Sequence, residues 1–139
     1  MKITDVMHRG VIAVDPGTSI RDLALTMRDE DIGSIPVIEN NRLVGMITDR
    51  DLVCRGLASG QDIETLTARD LMTVPGLSCT DTGDVEDAVH LMTSRKIRRL
   101  PVVDSEGRVI GMLSLGDISA GASRELSGDA ITGVSAHHV

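Results

Sequence analysis

The chain has 139 residues, and its 14 Lys and Arg against 21 Asp and Glu give it a formal charge of −7 at pH 7. A chain of this length forms one domain or two very small ones, and its acidic balance argues against nucleic-acid binding, which relies on Lys and Arg. Phe, Tyr and Trp are absent, which excludes aromatic cages and RNA modules that stack bases. No apolar run approaches the roughly 20 residues of a membrane span, and the first residues do not form a signal peptide, so we expect a cytoplasmic protein with no membrane partner.

The methionines reveal an internal repeat. An offset of 65 or 66 residues pairs six of the seven: Met7 with Met72, Met27 with Met92, and Met46 with Met112. The offset of 65 also aligns Pro36 with Pro101. One extra residue near Gly107 explains the longer offset, because hairpin turns tolerate insertions. We infer that one supersecondary unit occurs twice in the chain.

The first copy predicts elements in the order β-α-β-β-α. Short runs rich in β-branched residues predict three strands, over residues 11–14, 34–38 and 42–47. Thr18 or Ser19 can cap a helix that ends at Gly33, and its inward face would carry Ile20, Leu23, Ala24 and Met27. Asn40 and Asn41 suit a hairpin turn, because Asn tolerates a positive φ. A second helix is expected over residues 49–57.

The second copy predicts the same elements, with strands over 77–79, 100–103 and 108–113 and helices over 84–95 and from Leu115. Gly107 can take the left-handed position of the hairpin turn. A short helical segment precedes each copy, at 4–7 and 67–72, and Thr67 with Asp70 fits a capping box. The chain therefore divides into repeat 1 (1–60), a linker (61–66), repeat 2 (67–122) and a flexible tail (123–139).

Catalytic and metal-binding patterns are absent from the sequence. The four histidines, His8, His90, His137 and His138, lack metal-ligand spacing with Cys or Asp, and we expect His90 on the surface. There is no Gly-rich phosphate loop or nucleophile elbow, so we expect no enzyme, no metal and no obligatory cofactor. Cys54 and Cys79 are too few for a disulfide framework. The residues alone allow reduced thiols, one disulfide or a redox-sensing pair.

One motif recurs where chemistry could take place, in residues 45–52 and 111–118. In each copy a hydroxyl residue follows a strand, and an Asp comes three residues later: Thr48 with Asp51, and Ser114 with Asp117. One interpretation is a capping box that stabilises a helix start. The other is a nucleotide site, since helix starts bind phosphate and a fixed carboxylate can accept from both hydroxyls of a ribose. The spacing alone does not choose between them.

The two apolar-Pro-Val strands and the two Gly-x-x-Thr/Ser-x-x-Asp motifs resemble a pair of CBS domains, the Bateman module. The match covers about residues 4–121, and segments 31–37 and 48–53 are similar to the small stand-alone bacterial proteins that include the hypoxic-response type. The resemblance implies a mixed α/β (α+β) fold of two β-α-β-β-α repeats about a pseudo-twofold axis. It also implies a homodimer with two clefts between the repeats that bind adenine nucleotides (AMP, ADP or ATP) or S-adenosyl compounds.

The family pattern also implies the residues of each cleft. The first cleft would use Met46, Ile47, Thr48, Asp51, Leu77, Arg98, Arg99 and Pro101. The second would use Ile12, Gly33, Ser34, Pro36, Met112, Ser114 and Asp117. Arg98 and Arg99 could bind phosphate, whereas the matching Gly33 and Ser34 carry no charge. The first cleft should therefore prefer phosphorylated ligands, and the second should bind weakly, bind an uncharged adenosine compound or stay empty.

Three functions remain as hypotheses. The first is a cytosolic, homodimeric sensor of adenine nucleotides without catalysis, which signals to an unidentified protein target. The second is a ligand-free interaction or scaffold protein in which both motifs are only helix caps. The third is a DNA-binding regulator that uses the basic run 95–99, which requires salt-sensitive retention of DNA.

Overall fold

The computed structural model describes residues 1–74 and 77–121. In chain order its helices are α1 (Ile3–Val6), α2 (Ile20–Glu30), α3 (Asp49–Asp51), α4 (Ala68–Leu71), α5 (Val85–Arg95) and α6 (Leu115–Gly121). Its strands are β1 (His8–Arg9), β2 (Ser34–Glu39), β3 (Arg42–Thr48), β4 (Cys79–Thr80), β5 (Arg99–Val103) and β6 (Val109–Ser114). The tail predicted over 123–139, which includes His137 and His138, lies outside the described residues.

The chain divides into two compact units. The described residues between 12 and 77 form the first unit, and residues 1–11 join residues 78–121 in the second. The sequence repeats and the compact units therefore divide the chain differently. No helix in the described part of the chain is long and apolar enough to cross a membrane.

Helix α2 of the first unit begins where the sequence predicts. The Ser19 hydroxyl accepts a hydrogen bond from the Asp22 amide at 3.1 Å, which satisfies a donor of the first turn. The helix ends at Asp31, which takes the left-handed conformation at φ 53°, two residues before the predicted end. Its buried residues are Ile20, Leu23 and Met27. Ala24 was predicted on that face but is exposed, because it lies at the margin of the apolar stripe.

Strands β2 and β3 form the predicted antiparallel hairpin, with Asn40 and Asn41 at φ 53° and 63° in its turn. The strand predicted over 11–14 does not form. Only Val14 makes a bridge, parallel to Val37, because the chain turns directly after it: the Gly17 amide donates to Asp15 Oδ1 at 2.8 Å.

The helix predicted over 49–57 changes type along its length. Three residues of α3 continue as a π-helix over Leu52–Gly56 and end in a 3₁₀ turn over Leu57–Ser59. Gly56 is buried there, and a Cβ at this residue would lie 3.0 Å from Leu71 Cδ1. Arg55 donates to the Met72 carbonyl at 3.2 Å. The widened turn is thus held against α4, and π-helical turns often mark functional segments.

Residues 61–66, predicted as a linker, are structured within the first unit. They contain a 3₁₀ turn over Ile63–Thr65, and Glu64 pairs with Arg21 at 2.6 Å. Leu66 is 7% exposed and belongs to the same core cluster as Leu71. The polar composition of the segment concealed this contact, which Leu66 and the partly buried Ile63 make with the core.

The second unit contains a four-stranded sheet in the order β1-β6-β5-β4. Strand β4 is parallel to β5, and the other pairs are antiparallel. Gly107 takes the predicted positive φ, at 80°, in the turn before β6. Helix α5 buries Val85, Ala88, Val89 and Met92, which are the residues predicted for its inward face.

The segment before each sequence copy packs in the unit that contains the other copy. His8 and Arg9 pair with Met112 and Gly111 of β6. In the first unit, Thr73 forms the equivalent bridge with Met46 of β3. The pairing explains why glycine stands at both 45 and 111: a Cβ would lie 2.7 Å from Met72 Sδ at the first and 2.5 Å from the His8 carbonyl oxygen at the second.

Candidate functional site

Both Thr/Ser-x-x-Asp motifs form capping boxes at the end of a hairpin. The Thr48 amide donates to Asp51 Oδ2 at 2.9 Å, and the Asp51 amide donates to the Thr48 hydroxyl at 3.1 Å. Ser114 and Asp117 repeat both bonds at 2.9 and 3.1 Å. Each box uses one carboxylate oxygen. The other, Oδ1, accepts no hydrogen bond from the described part of the chain, so it can accept from a ligand.

Half of this arrangement also occurs away from the predicted sites, where an Asp side chain accepts from the amide three residues before it while its own amide donates to a main-chain carbonyl. The Lys2 amide donates to Asp5 Oδ2 at 3.1 Å, and the Thr67 amide donates to Asp70 Oδ2 at 2.8 Å. These bonds lie at the starts of α1 and α4. An Asp that accepts from a helix-start amide is therefore a common feature of this chain and does not by itself identify a ligand site.

In the first unit, the predicted site residues share one face of the β2–β3 hairpin. Ser34 pairs with Thr48, and Pro36 pairs with Met46. Because side chains directly opposite each other lie on the same face of a sheet, these four residues share one face, on which Pro36 is buried and the other three are partly buried. The opposite face carries Ile35, Val37 and Ile47, which are fully buried. Ile47 was predicted beside an adenine base, and only its main chain remains for such a contact.

The β5–β6 hairpin of the second unit repeats this arrangement. Arg99 pairs with Ser114, and Pro101 pairs with Met112, while Leu100, Val102 and Leu113 are fully buried on the other face. Each unit thus brings together residues that the family resemblance divides between both predicted clefts. Of the remaining predicted residues, Ile12 is 39% exposed and Leu77 is partly buried; both belong to the first unit.

The charges at the ends of the two hairpins differ. We call residues 33–34 and 48–51 the first hairpin end, and residues 98–99 and 114–117 the second hairpin end. Arg98 and Arg99 are exposed, and neither forms an ion pair with a described residue. Asp49, which the sequence analysis did not select, lies beside Gly33. Its mismatch with Leu115 in the repeat alignment was the signal that could have revealed it.

The two cysteines have different environments. Cys54 is exposed, Cys79 is buried, and both are free thiols. Cys79 Sγ donates to the Pro101 carbonyl at 3.7 Å, and burial raises the pKa of the Cys79 thiol from 9.0 to about 11. The thiol of Cys79 therefore stays protonated and unreactive at neutral pH.

We expect an aromatic disulfide reagent at pH 8 to modify one thiol of the folded protein rapidly and the second only after unfolding. The Cys54→Ser variant should lose the rapid phase. Because the folded state raises the thiol pKa, the contribution of Cys79 to stability is complete below pH 9 and is lost as the pH rises through about 11. Two equivalents of thiol modified at one rate would contradict this assignment.

Metal-ligand clusters are not found among residues 1–74 and 77–121: no group of three His, Cys, Asp or Glu side chains lies close enough to hold an ion. His90 is exposed, as predicted, and His8 is exposed as well. The described histidines therefore offer single side chains rather than a ligand set.

Comparisons with known proteins point to one family. The CBS domain model matches residues 3–55 and 68–122. The chain is 36% identical over 138 residues to the CBS domain-containing protein YhcV of Bacillus subtilis, covering 99% of this chain and 97% of the relative. It is 35% identical over 116 residues to hypoxic response protein 1 of Mycobacterium tuberculosis, covering 83% of this chain and 80% of the relative.

Solved structures give the same result. The crystal structure of hypoxic response protein I, with two coordinated zinc ions, matches with a TM-score of 0.79 at 32% identity, covering 86% of this chain and 98% of that chain. Arabidopsis thaliana CBSX2 in complex with AMP matches with a TM-score of 0.75 at 33% identity, covering 86% and 93%. The CBS domain pair of MJ0100, in complex with 5′-methylthioadenosine and S-adenosyl-L-methionine, matches with a TM-score of 0.76 at 26% identity, covering 86% and 98%. The chain belongs to the CBS domain family and carries two CBS domains.

Proposed function

We propose that this protein is a non-catalytic regulatory module of the cytoplasm that binds AMP, ADP, ATP or a related adenosine compound. The observation that carries the proposal is that the full two-bond box recurs at the ends of both hairpins, where one oxygen of Asp51 and of Asp117 has no hydrogen bond from the described residues. Two structural neighbours support it, one in complex with AMP and one with 5′-methylthioadenosine and S-adenosyl-L-methionine.

The residues of the hairpin ends would have separate roles. Asp51 and Asp117 would each accept hydrogen bonds from ribose hydroxyls. The half-buried Met46 and Met112, each paired with a proline across the hairpin, would pack against adenine, so that aromatic residues are not needed. Arg98 and Arg99 would bind phosphate, since charge-assisted hydrogen bonds from guanidinium groups are strong and directional.

The absorbance spectrum of the purified protein provides the first test. With no Trp or Tyr, the protein absorbs very little at 280 nm, so a bound adenine compound should dominate the spectrum near 260 nm. We expect protein prepared without added nucleotide and freed of nucleic acid to release an adenine compound, which mass spectrometry would identify. If no band is present, a thermal shift with millimolar AMP and ATP tests weak binding, and no shift would overturn the proposal.

Replacement of one carboxylate separates ligand binding from capping. We expect Asp51→Asn to lower the affinity for the bound compound at least tenfold. The amide lacks the negative charge of the carboxylate that accepts hydrogen bonds from the ribose hydroxyls. The matched control is Asp70→Asn, which alters a carboxylate that accepts from a helix-start amide outside the predicted site. Both variants should cost a similar amount of stability, at most about 0.5–2 kcal/mol, and only Asp51→Asn should lose ligand in calorimetric titration.

A ligand-free interaction or scaffold protein is the alternative function. The observation that favours it is that Asp5 and Asp70, outside the predicted sites, accept from a helix-start amide just as Asp51 and Asp117 do, and that capping explains all of these bonds. In that case Asp51→Asn and Asp70→Asn would behave alike in every measurement.

We also propose a homodimer formed through the helices. The exposed side chains of Leu25, Val53 and Leu57, at 39%, 55% and 62%, support such a contact in the first unit. Sedimentation equilibrium with and without nucleotide would test it, and a monomer under both conditions would contradict it.

A further inference from the structure

The two hairpin ends have the same main-chain geometry and different side chains. The Asp49 amide donates to the Gly33 carbonyl at 3.0 Å, and the Leu115 amide donates to the Arg98 carbonyl at 3.0 Å. These residues occupy matching positions in the two copies. The first copy has a glycine facing an aspartate, whereas the second has an arginine facing a leucine. The backbone is thus constant, and the charge at this point changes sign.

The carboxylate of Asp49 occupies the space that a side chain at position 33 would need. A Cβ at Gly33 would lie 3.0 Å from Asp49 Oδ2 and 3.4 Å from Oδ1. The Arg50 amide donates to Oδ1 at 2.8 Å and so holds the carboxylate in this orientation. Asp49 forms no ion pair within residues 1–74 and 77–121, so no described cation neutralises it.

An anion at the first hairpin end would meet this negative charge. Gly33 and Ser34 are predicted to contact ligand, and Asp49 is in direct contact with the first of them. A unit charge about 4 Å from another changes an affinity by about fivefold in water, and by more beside a protein surface. At the second hairpin end, Arg98 and Arg99 replace Gly33 and Ser34, and Leu115 replaces Asp49. This end therefore has two guanidinium groups and lacks the carboxylate.

We propose that Asp49 is a specificity-determining residue that disfavours phosphate beside Gly33. A ligand group that lies there is neutral or cationic, whereas phosphate binds beside Arg98 and Arg99, whichever of Asp51 and Asp117 holds the ribose. This inference rests on the proposed function and specifies the ligand group that lies beside each of these positions.

The test compares two ligands that differ only in the phosphate. AMP and adenosine are titrated calorimetrically into the full chain at low ionic strength, and the ratio of their dissociation constants is measured. We expect Asp49→Asn to strengthen the weaker AMP binding event, beside Gly33, about fivefold while adenosine binding there stays within about twofold. The gain should shrink in high salt, since salt screens exposed charges. The Asn side chain can still accept from the Arg50 amide, so the local structure is preserved.

Two further variants complete the design. Glu86→Gln, which removes an exposed carboxylate from the first turn of α5, should leave the ratio unchanged. Leu115→Asp should weaken AMP relative to adenosine, because it places the same charge at the second hairpin end. Failure of the unaltered chain to bind either compound would overturn the proposed function, and this inference with it. Binding of both compounds with the same ratio before and after Asp49→Asn would overturn this inference alone.

Discussion

We expect Gly111→Ala to lower the free energy of unfolding by about 3 kcal/mol, the upper range for overpacking a filled site. The new Cβ would lie 2.5 Å from the His8 carbonyl oxygen and 3.3 Å from Met7 Sδ. The nearest atom belongs to the backbone of β1, which is paired with β6 at His8 and Arg9. The clash can be relieved only by moving β1 and weakening that pairing.

Two alanine substitutions serve as matched controls. Gly45→Ala should cost less than Gly111→Ala, because its nearest contact is the flexible Met72 side chain at 2.7 Å, although the Thr73 carbonyl lies at 3.0 Å. Gly116→Ala lies within α6, where only the Ser114 hydroxyl comes within 3.5 Å of the new Cβ. It should be neutral or stabilising by up to about 1 kcal/mol.

Urea denaturation followed by far-ultraviolet circular dichroism measures these effects, since the chain lacks aromatic fluorophores. Equal stability of the Gly111→Ala and Gly116→Ala variants would contradict the close approach of β1 to β6.

We expect Arg99→Glu to lower the affinity for AMP on the order of 100-fold. Loss of a hydrogen bond to a charged group costs about 1.5–3 kcal/mol, and the new carboxylate adds repulsion; each 1.4 kcal/mol is tenfold. Arg99 is exposed, so its replacement should leave the fold intact. The matched control is Arg95→Glu, in the same basic run but in the last turn of α5, where we expect a change within about threefold.

Calorimetry with AMP measures this loss, and unchanged affinity in Arg99→Glu would remove phosphate binding from Arg99. Combining Arg99→Glu with Asp51→Asn and, separately, with Asp117→Asn yields two double-mutant cycles. Residues that bind the same ligand molecule show a coupling energy, whereas independent residues are additive. The cycles therefore identify whether Asp51 or Asp117 binds the ribose of the same ligand molecule whose phosphate Arg99 binds.

The hairpins and their turns could be predicted because local residues determine them. Asn40, Asn41 and Gly107 take the positive φ values that their residue types favour, and Ser19 caps the helix that it precedes. The strand expected over 11–14 failed for the opposite reason: a strand needs a partner along its length, and only Val14 finds one. Sequence pattern cannot supply that tertiary information.

The sequence predicted the repeated motif at the hairpin ends, but not the orientation of every side chain beside it. Repetition selected Thr48, Asp51, Ser114 and Asp117, and the structure places each pair in the same box geometry. Side chains alternate between the two faces of a strand, so the side chain of Ile47 points into the core. The family resemblance alone does not include this alternation. Asp49 was missed because the analysis compared what the copies share rather than where they differ.

The exchange of short segments between the sequence copies affects how the chain can fold during synthesis. His8 and Arg9 pair with strand β6 about a hundred residues later, and Lys2 forms a bridge with Asp84, so the first residues remain unpaired until much of the chain has left the ribosome. Such long-range contacts slow folding. The first unit can complete its contacts earlier, since its core lies between Ile20 and Met72. A fragment cut after residue 60 would lack the core residues Leu66, Ala68, Leu71 and Met72, whereas a fragment spanning 12–77 would retain them.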